Sequence, residues 1–148
     1  MIFIAHRANL YGSNKETENT EAAIMSAIEL GFDCEIDVWV FNEQIWLGHD
    51  FPQTKTSIDF LEKYKQKLWI HCKHLDSLLL LKDDFNCFYH DKDIYTLTSN
   101  GTIWGNVNSP VTKLGIQVMP ERAGIFSFNC LGICTDYPVH YKNIFSKS

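Results

Sequence analysis

Two carboxylates, Glu35 and Asp37, stand two residues apart in a segment where Phe32, Cys34, Ile36, Val38 and Val40 are all apolar. Residues two apart in a strand project to the same side. One face of Phe32–Phe41 is therefore hydrocarbon, and the other carries Asp33, Glu35, Asp37 and Trp39. If the apolar face packs outward, the acids face inward about 7 Å apart along the strand, and they repel unless a cation lies between them. A divalent ion such as Mg²⁺ or Ca²⁺, which takes carboxylate oxygens, meets that need. The plain alternative is the solvated face of an edge strand. His6 and His49 stand near the ends of other strand-like segments, as do His71 and Lys73. Histidine titrates near neutrality, so two of them beside paired acids suit acid–base chemistry at a phosphoryl group. A single histidine in such a place is more often a core or capping residue.

These side chains need elements to hold them. Ile2–Arg7 alternates, with Ile2, Ile4 and His6 on one face and Phe3, Ala5 and Arg7 on the other. Thr20–Leu30 reads as a helix, capped by Asn19 or Thr20, striped by Ala23, Ile24, Ala27 and Ile28, and stopped by Gly31. After Phe32–Phe41, Asn42-Glu43 reads as a turn into a strand Ile45–His49 that pairs back or beside it. Ser57–Lys65 and Leu75–Leu81 read as short helices, and Leu68–Lys73 and Cys87–His90 as strands, the former with Trp69, His71 and Lys73 on one face. Thr96–Asn106 reads as a hairpin turning at Asn100-Gly101, and Ile116–Met119 and Gly132–Thr135 are the last strands. Strands alternating with helices predict an α/β fold, and polar residues gathered at strand ends predict a small or abbreviated (β/α)8 TIM-like barrel with its site on that rim.

Taken in order, His6-Arg7, Glu18-Asn19-Thr20, Glu35-x-Asp37 and His49-Asp50 resemble the signature of the glycerophosphodiester phosphodiesterase family. Thr135-Asp136-Tyr137-Pro138 resembles that family's closing strand motif. The resemblance is specific at the start of the chain and brackets most of its length. It implies that His6 and His49 are general acid and base, or nucleophile and acid, and that Glu35 and Asp37 bind the metal. It implies that Arg7 holds a phosphate oxygen with its guanidinium fork and that Lys73 adds a point charge there. Glu18 and Asn19 are expected to support the phosphate-binding loop. The chain also departs from the pattern. Ala8 stands where the family has Gly, and a few extra residues precede Glu18. The position of the family's third metal-binding carboxylate is His71, which suits Mn²⁺ or a softer ion better than Mg²⁺ or Ca²⁺, or else hydrogen-bonds the phosphate. The insertion that covers glycerol in some members is missing.

Other residues are open between two roles. His90, Asp91 and Asp93 line the rim or form a solvated loop with Lys92; Trp39 and Trp104 stack on substrate or fill the core. Glu121 is a candidate distant ligand for the lost carboxylate. The 148 residues predict one domain spanning 1–148, and 45% hydrophobic with 21% charged residues predicts a packed one. A formal charge of −5 without Lys/Arg runs gives no nucleic-acid footprint. With no leader-like N-terminus and no apolar run of about 18 residues, a cytoplasmic protein without a membrane span is expected. Five cysteines without a Cys-x-x-Cys pair read as buried thiols, against a disulfide or structural zinc. The function expected is metal-dependent cleavage of a small phosphodiester, by water or by a substrate hydroxyl. Its rivals are a catalytically weak phosphate-ligand binding module and a structural protein on the same scaffold. Missing helices would leave strand faces bare, which a homodimer could cover.

Overall fold

The nine-residue strand Asp33–Phe41 (β2) organises the molecule, because three other strands pair with it. In this computed structural model, which describes residues 1–124 and 129–147, Ile2–His6 (β1) pairs with its first half in parallel. Leu68–Cys72 (β5) pairs along its other edge, also in parallel. The second half of β2 turns at Asn42 and Glu43, both at positive φ, into antiparallel Gln44–Leu47 (β3), and Thr54–Thr56 (β4) adds outside it. Cys87–Phe88 (β6) lies beyond β5. On the other flank, β1 pairs with Gly132–Thr135 (β10), then come Gly115–Val118 (β9), Ile103–Gly105 (β8) and its hairpin partner Tyr95–Leu97 (β7).

The architecture corrects the expectation of a (β/α)8 TIM-like barrel. The described residues form a curled mixed sheet of ten strands, a half-barrel, with five short helices. The physical reason is where the chain is spent. The β2–β3–β4 meander and the β7–β8 hairpin use residues that a barrel would give to crossover helices. The connections on either side of that hairpin, 89–94 and 106–114, carry no helix. No helix among the described residues is long and apolar enough to cross a membrane.

Four helices cover one half of the sheet. Glu21–Glu29 (α1) starts at Thr20, whose hydroxyl accepts the Ala23 N–H, and buries Ile24 and Ala27. Ile58–Tyr64 (α2), capped by Ser57, buries Leu61, and Leu75–Leu81 (α3) buries Leu81. Past a four-residue helix, Pro120–Ala123 (α4), comes Pro138–Ser146 (α5), which sets Phe145 against Phe3 of β1. The alternation expected of β2 holds. Cys34, Ile36, Val38 and Val40 join the core beneath the helices, together with Ala5, Ile70 and Leu47. A second cluster lies inside the curl: Ile4, Trp69, Phe88, Trp104, Ile116, Val118, Met119 and Cys134. Trp104 of β8 comes within 4.6 Å of Phe88 and 5.8 Å of Trp69 between ring centroids. The inward face of β2 thus has a hydrophobic floor below it and Glu35 and Asp37 above. Cys34, Cys72, Cys87 and Cys134 are buried thiols, and Cys130 is half-buried.

Candidate active site

The rim above that floor is made by the ends of β1, β2, β5 and β6 and by the segments after β3, β8, β9 and β10. A pocket of about 200 Å³ opens there, bordered by His6, Arg7, Glu35, Asp37, His49, His71 and His90. A larger cavity of about 720 Å³ lies between Leu10–Asn14, the start of α1 and Tyr137, and its lining holds no titratable residue except the two tyrosines.

Neighbouring parallel strands bring the acids and His71 together. Asp37 sits opposite His71 in the β2–β5 register, and Glu35 sits opposite His6 in the β1–β2 register. Glu35, Asp37 and His71 each offer a ligand atom, and these atoms lie within 4.8 Å of one another. Both acids are almost fully buried, at 4% and 1% exposure. Burial, then the neighbouring Asp37, pushes the Glu35 carboxyl above the usual carboxylate range. Burial pushes Asp37 the same way, but His71, Lys73 and Asn19 outweigh it and hold its carboxyl well below that range. Glu35 Oε2 accepts the Arg7 N–H at 3.1 Å. Both His71 nitrogens face acceptors, Nδ1 the Asp37 Oδ1 at 3.0 Å and Nε2 the His90 carbonyl at 3.3 Å; a metal ion ligated through Nδ1 would take the place of the hydrogen shared with Asp37, with Nε2–H still held by the carbonyl. His71 is stacked on Phe88 and His90, which fixes its ring plane. Two clustered buried carboxylates and an oriented imidazole fit a divalent ion.

The loop between β1 and α1 builds the cationic side. Arg7, Ala8 and Asn19 all take left-handed backbone conformations, and Ala8 stands there in place of the glycine such a turn favours. Arg7 Nη1 donates to Glu18 at 3.2 Å, while its buried Nε makes no hydrogen bond and lies 3.6 Å from Asp37 Oδ2. Asn19 does not cap α1. Its Nδ2 donates to Asp37 Oδ2 at 2.9 Å and its Oδ1 accepts the Asp37 N–H at 3.0 Å. Glu18 and Asn19 therefore stand behind Arg7 and Asp37. Lys73 stands outside the pocket lining, with its ammonium 3.6 Å from Asp37 Oδ1.

The two histidines occupy different settings. The sequence places His49 at the end of a barrel strand, but β3 is antiparallel, and His49 reaches the rim from the loop behind it. Gly48 makes that return. Its φ is 151°, and a Cβ there would stand 2.1 Å from the Phe51 carbonyl oxygen. His49 bonds Asp50 at 2.8 Å through Nδ1, and burial, against the opposing pull of Asp37, lowers its pKa. His6 is the reverse. Burial disfavours its charged form, yet Asp136 and then Glu35 outweigh this and raise its pKa. His6 Nδ1 lies 2.8 Å from Asp136 Oδ1, and Nε2 lies 3.9 Å from Glu35 Oε2.

Asp136 is a site residue that the sequence reading passes over, although its motif is in view. It is 2% exposed and is held from three further sides: Asn9 Nδ2 at 3.0 Å, Arg122 at 3.3 Å, and its own N–H donated to Glu121 at 3.2 Å. Glu121 thus belongs to the support of Asp136 and lies outside the metal-ligand cluster. Trp104 lines the pocket floor, whereas Trp39 bonds the Gly48 carbonyl away from it. His90 borders the pocket, while Asp91 and Asp93 lie on the exposed loop beyond it. Comparison with protein-family models, with curated proteins and with solved structures finds no match for the chain.

Proposed function

We propose that the chain is a metal-dependent phosphodiesterase that cleaves a small phosphodiester by acid–base catalysis between His6 and His49. One observation carries this: a single small pocket joins two histidines, an arginine and a three-ligand cluster. A divalent ion held by Glu35, Asp37 and His71 would supply positive charge to the phosphate oxygens. One imidazole among the donors departs from the all-oxygen shell that Ca²⁺ takes and ranks Mn²⁺ above Mg²⁺ and Ca²⁺.

The histidine pKa values are pushed apart, which separates acid from base. His6, whose pKa Asp136 raises, is the acid: Asp136 fixes the Nδ1–H and leaves Nε2 turned to the pocket. His49, whose pKa burial lowers, is the base, with Nε2 free because Nδ1 is bonded to Asp50. Arg7 lies beside the ligand cluster and binds a phosphate oxygen. In the reaction His49 takes the proton of the attacking hydroxyl, oxygen bonds to phosphorus, the opposite P–O bond breaks, and His6 protonates the departing oxygen. The attacking hydroxyl is that of water or of the substrate itself.

The test is hydrolysis of bis(p-nitrophenyl) phosphate by metal-stripped protein with Mn²⁺, Mg²⁺, Ca²⁺ or Zn²⁺ restored singly. Turnover that needs the metal and is lost in both His6→Ala and Glu35→Ala is expected. Phosphate binding without turnover on any diester would replace this reading with a phosphate-binding module.

A further inference from the structure

The pocket has two unlike sides. Its charged side, on β1, β2 and the loops beside them, is used by the chemistry above. The other side is formed by Phe88, Trp104, Val107, Val118 and Met119, with two polar residues, Asn106 and, at its outer edge, Arg122, whose guanidinium pairs with Asp136 at 3.3 Å. Asn106 Oδ1 accepts the Val107 N–H at 2.8 Å and the group is an uncharged amide, while the Arg122 guanidinium is engaged by Asp136, so no carboxylate on this side balances a positive charge and no unpaired cation awaits a negative one. Phe88, Trp104, Val118 and Met119 belong to the packed cluster inside the sheet, so the wall is preformed and rigid. Met119 is held at a left-handed φ of 48°, with its N–H on the Cys134 carbonyl at 2.7 Å. The volume sets a size limit. A dry cavity of about 150 Å³ holds one benzene ring. The roughly 200 Å³ here takes a phosphoryl group and a short substituent, but no nucleoside or acyl chain.

We infer that this wall selects one ester arm of the substrate: a short, uncharged, largely aliphatic group that lies against Trp104, Val107 and Val118, while the second arm leaves through the open side. The inference rests on the phosphodiesterase reading and names the substrate class for that site. It excludes cationic arms such as choline, which meet no carboxylate on this side and face the Arg122 guanidinium, and nucleosides, which exceed the volume. Each methylene buried on the wall tightens binding by a factor of about four.

Monoesters separate the wall from the phosphate site because they carry a single arm. Calorimetric titrations in the presence of Mn²⁺ would compare inorganic phosphate, isobutyl phosphate, phosphocholine and thymidine 5′-monophosphate. Isobutyl phosphate is expected to bind at least tenfold tighter than inorganic phosphate, and the other two no tighter than inorganic phosphate. Val118→Thr keeps the shape of the wall and adds a hydroxyl; Val107→Thr does the same on a half-buried loop position that leaves folding intact. Each should reduce the isobutyl advantage about threefold or more while inorganic phosphate binds as before. Equal binding of phosphate and isobutyl phosphate, tightest binding of phosphocholine or the nucleotide, or an advantage unmoved by both variants overturns the inference alone. Failure of inorganic phosphate to bind removes both the inference and the phosphodiesterase reading beneath it.

Discussion

Replacing Asp136 by Asn removes one charge from the site and little else. The new carboxamide oxygen can still accept from His6 and from Asn9, whose Nδ2 lies 3.0 Å from Asp136 Oδ1 in the native site. The amide nitrogen then faces Arg122, a residue 58% exposed at the side chain, so that lost ion pair costs under about 1 kcal/mol. The consequence falls on His6. With the carboxylate gone, burial and Arg7 act on the ring with only Glu35 opposing them, and the raised pKa falls. A positioning carboxylate of this kind is worth roughly 10²–10⁴ in kcat, and its loss should leave KM nearly unchanged. His6 must be protonated to act as the acid, so the alkaline limb of the pH–rate profile should move to lower pH. Stability should follow the same sign. A histidine whose folded pKa is raised contributes stability that is complete below its unfolded pKa of about 6.5 and is lost as pH rises through the folded value. Asp136→Asn should therefore be about 1–3 kcal/mol less stable than the native protein near pH 5.5, the worth of a hydrogen bond to a charged group, and the gap should narrow towards pH 9. Steady-state kinetics across pH with Mn²⁺ present, and urea melts at the two pH values, read these effects. A kcat within threefold of native, or a loss confined to KM, would refute the dyad.

Three further outcomes follow from the geometry. Mn²⁺ at a hundred times its dissociation constant should stabilise the native protein by about 2.7 kcal/mol, roughly 5–10 °C in Tm, and Glu35→Gln and Asp37→Asn should each abolish the shift in a thermal melt. Burial, with His71 and Lys73 adding to it, lowers the His90 pKa to about 4. That neutral ring contributes stability above about pH 6.5 that is lost as pH falls through the folded value, so native protein should lose about 2–3 kcal/mol between pH 7 and pH 4 that His90→Phe does not lose, as read by denaturant midpoints. Gly48→Ala drives a methyl group into the Phe51 carbonyl, 2.1 Å from the ideal Cβ, and should cost about 2–4 kcal/mol and displace His49. Its Tm and kcat should fall together, and a native Tm would show that the loop relaxes freely.

The inward acids are legible because β2 is long and buried outside: five apolar residues in alternation leave Glu35 and Asp37 one direction to point. The hairpin at Asn100-Gly101 and the start of α1 are legible for a similar reason, since Gly101 takes a positive φ and Thr20 caps its helix as turn and cap chemistry require. What sequence reasoning misses is pairing. Ile45–His49 reads as a strand that pairs back on Phe32–Phe41 or lies beside it, and its residues do not choose between the two; the structure takes the antiparallel course. The barrel expectation follows from leaving that choice open. Thr54–Thr56 is too short to show a period, and Pro138 at the first turn of α5 is absorbed into a strand-end motif. Asp136 escapes because its partner lies 130 residues away, a contact that only the β1–β10 pairing creates.

That pairing also has a consequence for the order of synthesis. The first strand of the sheet completes its hydrogen bonding only with the last, Ile2 to Gly132 through Ala5 to Thr135. A nascent chain can close β2 against β3 and β5 while still attached to the ribosome, because those partners lie close in sequence. It can therefore gather Glu35, Asp37 and His71 early, at a stage when Asp136 is not yet there to hold His6. The ligand cluster is local, the acid is not, and closing so long a loop is slow. A chain stopped short of residue 136 would hold its ligand cluster without the partner that orients its acid, and catalytic competence would arrive in a single late step.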